Sequence, residues 1–171
     1  MNLQALKPNN KNILVSRYQT AGEIAGSIVK AIELSKPCAE ILAPSFANKD
    51  KLKTAKLIFL FCKQAIPYKR EPASRQTAKT LPRILADANK NAINGDIIGG
   101  DCKHYATATA SLCKALNIPV KLRLISQNFY DSTPTHIYAV ATINGKEVII
   151  DGVLKNFNNE ARYTHKYDIK I

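Results

Sequence analysis

Three side chains in this sequence are of the types that thiol-dependent acyl chemistry uses: Cys102, His136 and Asp151. Asp101 is a good helix cap for the run that starts at Cys102, so the thiol is expected at a helix N-terminus. There, unpaired backbone N–H groups and the helix dipole favour a thiolate. His136 opens a β-rich segment and Asp151 closes the next one, with the turn pair Asn144-Gly145 between them. A two-residue turn at that pair sets Ile143 opposite Lys146 and Tyr138 opposite Asp151. His136 and Asp151 then share a sheet face as diagonal neighbours, ~7–8 Å apart in backbone terms, so imidazole and carboxylate can meet. That is the need of a Cys–His pair, which requires a third group to fix the imidazole tautomer and stabilise its charge. On position alone, Cys102 reads as a small buried hydrophobe, as most free cysteines are, rather than as a nucleophile.

The remaining candidates are weaker. His104 stands two residues after Cys102 on the same helix and points to another side. His165 falls in a polar C-terminal stretch beside Arg162, Lys166 and Lys170, where an exposed residue is expected. Cys38, Cys62, Cys102 and Cys113 form no CxxC pair, and neither they nor the histidines reach the spacing of a zinc site, so no metal and no cofactor is expected. Gln64 and Gln76 precede the cysteine as possible second oxyanion donors, and no spacing argument selects either.

The elements that must position these groups read as helices first and a sheet afterwards. Residues 1–19 lack a period and read as a loosely held arm. Thr20-Ala-Gly-Glu23 has the form of a capping box before an apolar stripe of Ile24, Ile28 and Ile32. Pro37 opens a second short helix. Asp50 precedes a third over 51–65, with Leu52, Ala55, Ile58, Phe59 and Cys62 on one side and Pro67 as its stop. Residues 68–80 read as a polar surface loop and 81–88 as a short helix. An Asn- and Gly-rich connection through Gly95, Gly99 and Gly100 leads to the Cys102 helix, whose Ala106, Ala110, Cys113 and Leu116 permit close approach to a sheet. Asn117 and Pro119 end that helix, and strands follow over 120–125, 135–143 and 146–152. The fold class is α+β: a central helix on an antiparallel sheet, preceded by a helical N-terminal region. The whole chain reads as one domain, with residues 1–75 mostly helical, a core over 76–157 and a tail over 158–171.

Composition bounds the partners. The 171 residues are 46% hydrophobic and 22% charged, which excludes collagen-like, low-complexity and wholly disordered classes. No apolar run approaches the ~20 residues that span a bilayer, and the N-terminus lacks a signal-peptide core. A soluble protein made in the cytoplasm, with no membrane partner, is expected. The formal charge of +12 raises the prospect of an anionic partner. Nineteen of the 25 basic residues are Lys, however, and base reading and phosphate clamping favour Arg. The first 75 residues carry 13 positive and 5 negative side chains. A solvated Lys-rich surface is favoured over nucleic-acid binding by that half.

Taken in order, Gly100-Asp101-Cys102, Ala106, Ala110, Leu116-Asn-Ile-Pro119, Thr135-His136-Ile-Tyr-Ala and Val148-Ile-Ile-Asp151 resemble the transglutaminase-like family. In that family Gly-Asp-Cys opens the central helix, a His begins one strand and an Asp ends the next. The gaps of 34 and 15 residues suit its compact members. The resemblance covers about residues 50–157 and implies a papain-like core with Cys102, His136 and Asp151 as a catalytic triad. It implies a protein or peptide substrate attacked at an amide bond through a thioester, with water (peptidase or amidase) or an amine (transferase) as acceptor. The stretch Asp151-Gly-Val-Leu-Lys-Asn-Phe-Asn-Asn-Glu160 is similar to small phage and prophage members, which implies virion or cell-wall association. Lys103 and His104 stand where many relatives carry acidic residues, and Gly152 where they carry Pro. The alternative is a non-enzymatic virion or basic binding protein that keeps the fold.

Overall fold

A computed structural model of the chain describes residues 13–15, 21–72, 76–94 and 98–171. Thr20 and Gly95, both singled out in the sequence, lie outside the described residues. Helix α1 spans Ala21–Leu34 and buries Ala25, Ile28, Ala31 and Ile32, the spacing of one helical face. Ser35 turns the chain into α2 (Lys36–Leu42), which has Pro37 in its first turn. The Ser35 hydroxyl donates to the Ala31 carbonyl (2.6 Å) and accepts the Leu81 N–H (2.8 Å). This corner is thereby tied to the start of a later helix. A short 3-10 turn (Ala43–Phe46) leads to α3 (Lys51–Ala65), capped by Asp50, whose side chain accepts from the N–H of Leu52 (2.8 Å) and of Lys53 (3.4 Å). Thr54, Ala55, Ile58, Phe59 and Cys62 form its buried face, while Leu52 turns out to solvent, contrary to the stripe read from the sequence.

Two stretches expected to be irregular pair with each other. Ile13–Val15 (β1), within the expected loose arm, runs antiparallel to Gln76–Ala78 (β2), within the expected surface loop. Thr77, Ala78 and Thr80 are buried. Three-residue strands are too short to display a period, and their partner is some sixty positions away. Helix α4 (Leu81–Asn94) runs past the expected stop at residue 88. Asn91 closes the return, accepting from the Ile98 N–H (2.7 Å) and donating to its carbonyl (3.1 Å).

Helix α5 (Cys102–Ala115) is central, and every residue from Lys103 to Cys113 is buried. Two of its polar side chains are satisfied locally: Thr107 bonds the Lys103 carbonyl (2.9 Å) and Ser111 the Thr107 carbonyl (2.7 Å). Asn117, with φ 53°, ends the helix in the left-handed region, and Ile118 N–H returns to the Cys113 carbonyl (3.0 Å). Four antiparallel strands follow: β3 (Val120–Ser126), β4 (His136–Ile143), β5 (Lys146–Ile150) and β6 (His165–Lys170), in the order β5-β4-β3-β6. Residues 158–171 are therefore not merely a tail, because β6 pairs with β3 along its length. Its alternating charged residues conceal a strand in which Asp168 pairs with Arg123 and Lys121 of β3.

One sheet face packs on the helices: Leu122, Leu124, Ile137 and Ala139 meet Ala106 and Ala110 of α5 and Ala25, Ile28 and Ile32 of α1. Ala141, Ile143, Val148 and Ile150 continue that face against α3 and the end of α5. The opposite face carries Ile125, Tyr138, Val140 and Ile149, covered in part by Ala161 and Tyr163. The fold is α+β, with helices preceding an antiparallel sheet.

Candidate active site

Cys102 opens α5 because Asp101 ends the preceding loop as a full N-cap. The Asp101 carboxylate accepts the Lys103 N–H (3.2 Å), and Nδ1 of His104 accepts the Asp101 N–H (3.0 Å). The amide can only donate, so the His104 ring proton resides on Nε2, which faces Thr77 Oγ1 at 3.4 Å. His104 is thus a buried cap residue turned away from the thiol, as its spacing implied. The loop before Asp101 is pinned to the exit of α3: Gly100 N–H donates to the Pro67 carbonyl and Lys69 N–H to the Gly100 carbonyl, both at 3.0 Å. A Cβ on Gly100 would lie 2.8 Å from His104 Cβ and 2.9 Å from Ile66 Cγ2. Glycine here is a packing requirement of the Gly-Asp-Cys run.

His136 and Asp151 meet. Nε2 of His136 lies 2.6 Å from Oδ2 of Asp151, and Oδ1 accepts the Val153 N–H at 3.0 Å. The hairpin that brings them together has the register read from its turn: Ile143 opposite Lys146 and Ala139 opposite Ile150, with Asn144 and Gly145 at φ 52° and 74°. Both residues follow the parity of Tyr138, on the face opposite α5. His136 is the first residue of its strand, so its ring reaches around the sheet end to the cavity that Cys102 also lines. The ring nitrogen left over from Asp151 is Nδ1. Burial alone would lower the His136 pKa, but the hydrogen bond and charge of Asp151, together with Cys102, push it up to about 10. His165 lies on β6, bonded to Thr164, and takes no part.

The cavity holds about 440 Å³ and is two-sided. Ile24, Leu124 and Ile137 give an apolar floor, whereas Arg70, Glu71, Gln76 and Lys103 give a polar wall. Cys102 is half-buried between them; Cys38, Cys62 and Cys113 are fully buried, with burial raising them to about 11, 12 and 12. The Cys102 backbone N–H finds no acceptor among the described residues. Gln76 lines the cavity, but its Nε2 donates to the carbonyls of Glu71 (3.1 Å) and Pro72 (2.9 Å). Gln64 is exposed on α3 and does not line it. No group of three potential metal ligands is assembled among the described residues.

Sequence reasoning missed the ionic network behind this wall. The buried Lys103 ammonium donates to Gln76 Oε1 (2.6 Å) and Asp101 Oδ2, and lies 3.6 Å from Glu71. Glu71 in turn accepts the Thr77 N–H (2.6 Å) and hydroxyl. Burial raises the Asp101 pKa, and the hydrogen bond and charge of the Lys103 ammonium oppose it, with the carboxyl held well below the usual range. Glu71 sits in what reads as an exposed loop, and no spacing connects it to Lys103. Gly152 is a second case. A Cβ there would fall 2.2 Å from Tyr105 Cδ1, so the ring of Tyr105 takes the space a side chain would need.

A half-buried thiol at the start of a central helix, beside an imidazole braced by a carboxylate at a sheet end, is the layout of a cysteine-type acyl-transfer fold. A transglutaminase-like domain model matches residues 38–169, about three quarters of the chain. The chain belongs to the transglutaminase-like domain family, whose members are in general cysteine peptidases or transferases. No curated protein matches it. Helix α1 and β1 precede the matched segment, yet Ile24 of α1 lines the cavity. Among the described residues no helix is long and apolar enough to cross a membrane.

Proposed function

We propose that the protein cleaves or transfers acyl groups at amide bonds, with Cys102 as nucleophile, His136 as its proton partner and Asp151 as the group that orients the imidazole. The observation that carries this reading is the 2.6 Å His136–Asp151 contact on the wall of the cavity into which the only half-buried thiol opens. With Nε2 engaged by Asp151, Nδ1 takes the thiol proton. The thiolate attacks the amide carbonyl, the C–N bond breaks as His136 returns its proton to the leaving amine, and a thioester remains on Cys102. The Cys102 N–H stabilises the developing oxyanion, a contribution of about 2.7–4 kcal/mol when such a donor is well aimed. Water then completes hydrolysis, or an amine completes transfer, with the proton passing again through His136. A protein or peptide substrate fits a cavity that pairs a polar wall with an apolar floor.

The test needs no natural substrate. Iodoacetamide at pH 7, followed by peptide mass mapping, is expected to label Cys102 well ahead of the other three thiols. His136→Ala is expected to slow that labelling about tenfold or more, because a free thiol near pKa 8.5 is only a few per cent ionised at that pH. Equal, slow labelling of all four thiols, or a rate indifferent to His136, would overturn the reading.

A further inference from the structure

The sheet face opposite α5 holds a buried charged group that the chemistry above does not use. Arg123 on β3 is 2% exposed and is ringed by three carboxylates: Asp168 of β6 (2.7 and 2.9 Å), Glu160 (2.7 Å) and Glu147 of β5 (2.9 Å). Arg123 is also paired in register with Tyr138 of β4. The Tyr138 hydroxyl donates to the same Glu160 oxygen that Arg123 holds, at 2.8 Å. At its other end the Tyr138 ring lies 5.5 Å from the His136 imidazole, centroid to centroid, with the planes 36° apart. Tyr138 is 1% exposed, so the ring has no freedom to leave that position. An unbroken line of contacts therefore runs from Arg123 through Glu160 and Tyr138 to the ring of His136.

We propose that Tyr138 is a positioning residue for His136, its ring held by Glu160 and Arg123 so that one face backs the imidazole and stabilises its protonated form. An aromatic face within about 6 Å of a cation attracts it through the ring quadrupole. A carboxylate accepting from the phenol adds electron density to the ring and strengthens that attraction. Burial, with Glu160 second, raises the Tyr138 pKa far above neutrality, so the phenol remains a donor. The other groups around the imidazole are Asp151 after β5 and Cys102 at the start of α5. Asp101, Lys103, Arg70 and Glu71 line the same cavity, and Glu160 and Arg123 lie behind Tyr138. Asp151 fixes the ring at one nitrogen, while Tyr138 fixes the plane about that bond.

The inference rests on the triad reading, and the experiment separates the two. Iodoacetate is an anion drawn to the imidazolium, so its rate with Cys102 falls as that charge is lost, and the alkaline limb of the rate against pH reports the His136 proton. In the unaltered protein that limb is expected near pH 10. Tyr138→Leu is expected to move it down by roughly half to one unit, the size of a cation–π contact, and Tyr138→Phe by less. Glu160→Gln alone is expected to match Tyr138→Phe and to add nothing to it, since both break one link. A limb unmoved in Tyr138→Leu, or a Glu160→Gln effect that persists undiminished in Tyr138→Phe, overturns the proposal. Should the Leu variant fail to fold, the Phe and Gln pair decides. A purely structural role lowers the melting temperature without moving the limb. If His136→Ala itself leaves the Cys102 rate unchanged, the triad reading fails, independently of Tyr138.

Discussion

At the scale of single residues, the site depends on what its neighbours leave out as much as on its reactive atoms. Gly152 follows Asp151 directly, and its missing Cβ is the space into which the Tyr105 ring fits. Tyr105 also donates to the Ile66 carbonyl, while Lys63 holds the carbonyls of Gly152 (3.1 Å) and Leu154 (2.8 Å). The chain beyond Asp151 is thereby fixed from the α3 side, and the carboxylate with it. Gly152→Ala is expected to cost about 1–3 kcal/mol of stability in urea unfolding, the range of an overpacked core. The same substitution in a Tyr105→Leu background should cost distinctly less, and equal costs in the two backgrounds would remove the steric account. Lys103 belongs to the same scale. Its ammonium neutralises the Asp101 carboxylate, so that no unpaired negative charge stands one residue before Cys102.

At the scale of elements, α5 and the β4–β5 hairpin were legible because each carries its own signal. A capping residue, a left-handed Asn and a stretch of small side chains define the helix; Asn144-Gly145 defines the hairpin and its register. Strands β1, β2 and β6 were not legible, since each exists only through a distant partner. Strand β6 is held to β3 by backbone pairing and by the double contact of Asp168 with Arg123. Asp168→Ala is expected to lower stability by about 2–3 kcal/mol, the size of hydrogen bonds to a charged group. Asp168→Asn, which keeps one polar contact, should lose less. Guanidinium unfolding of the two variants measures this, and a cost within error of zero for both would show that β6 is held by its backbone alone.

At the scale of the whole molecule, the charges set a pH window. Asp168 is held down to about 2, chiefly by hydrogen bonding to Arg123, and Asp101 lies lower still. A depressed carboxylate contributes stability that is present above its unfolded value of ~3.9 and is lost as pH falls through its folded value. His136, pushed up to about 10, contributes in the opposite sense: fully below ~6.5, and progressively less as pH rises through 10. Stability followed by chemical unfolding across pH is therefore expected to be greatest between about 4 and 6.5, declining on both sides. Asp151→Asn should flatten the alkaline decline, and an unchanged decline in that variant would assign it to another group.

Local signals in the chain determined the capped helix beginning at Cys102, the tight turn at Asn144-Gly145 and the matching parity of His136 and Asp151, because each depends on neighbours within a few bonds or across one turn. Tertiary structure alone decided that His136 stands at the sheet end, where its ring can pass from one face towards a thiol on the other. It also assembled Glu71, Gln76 and Lys103, and Arg123, Glu160 and Tyr138, into networks. Burial makes an ion require a partner, but which distant residue supplies it follows from how layers pack, and no spacing along the chain records that.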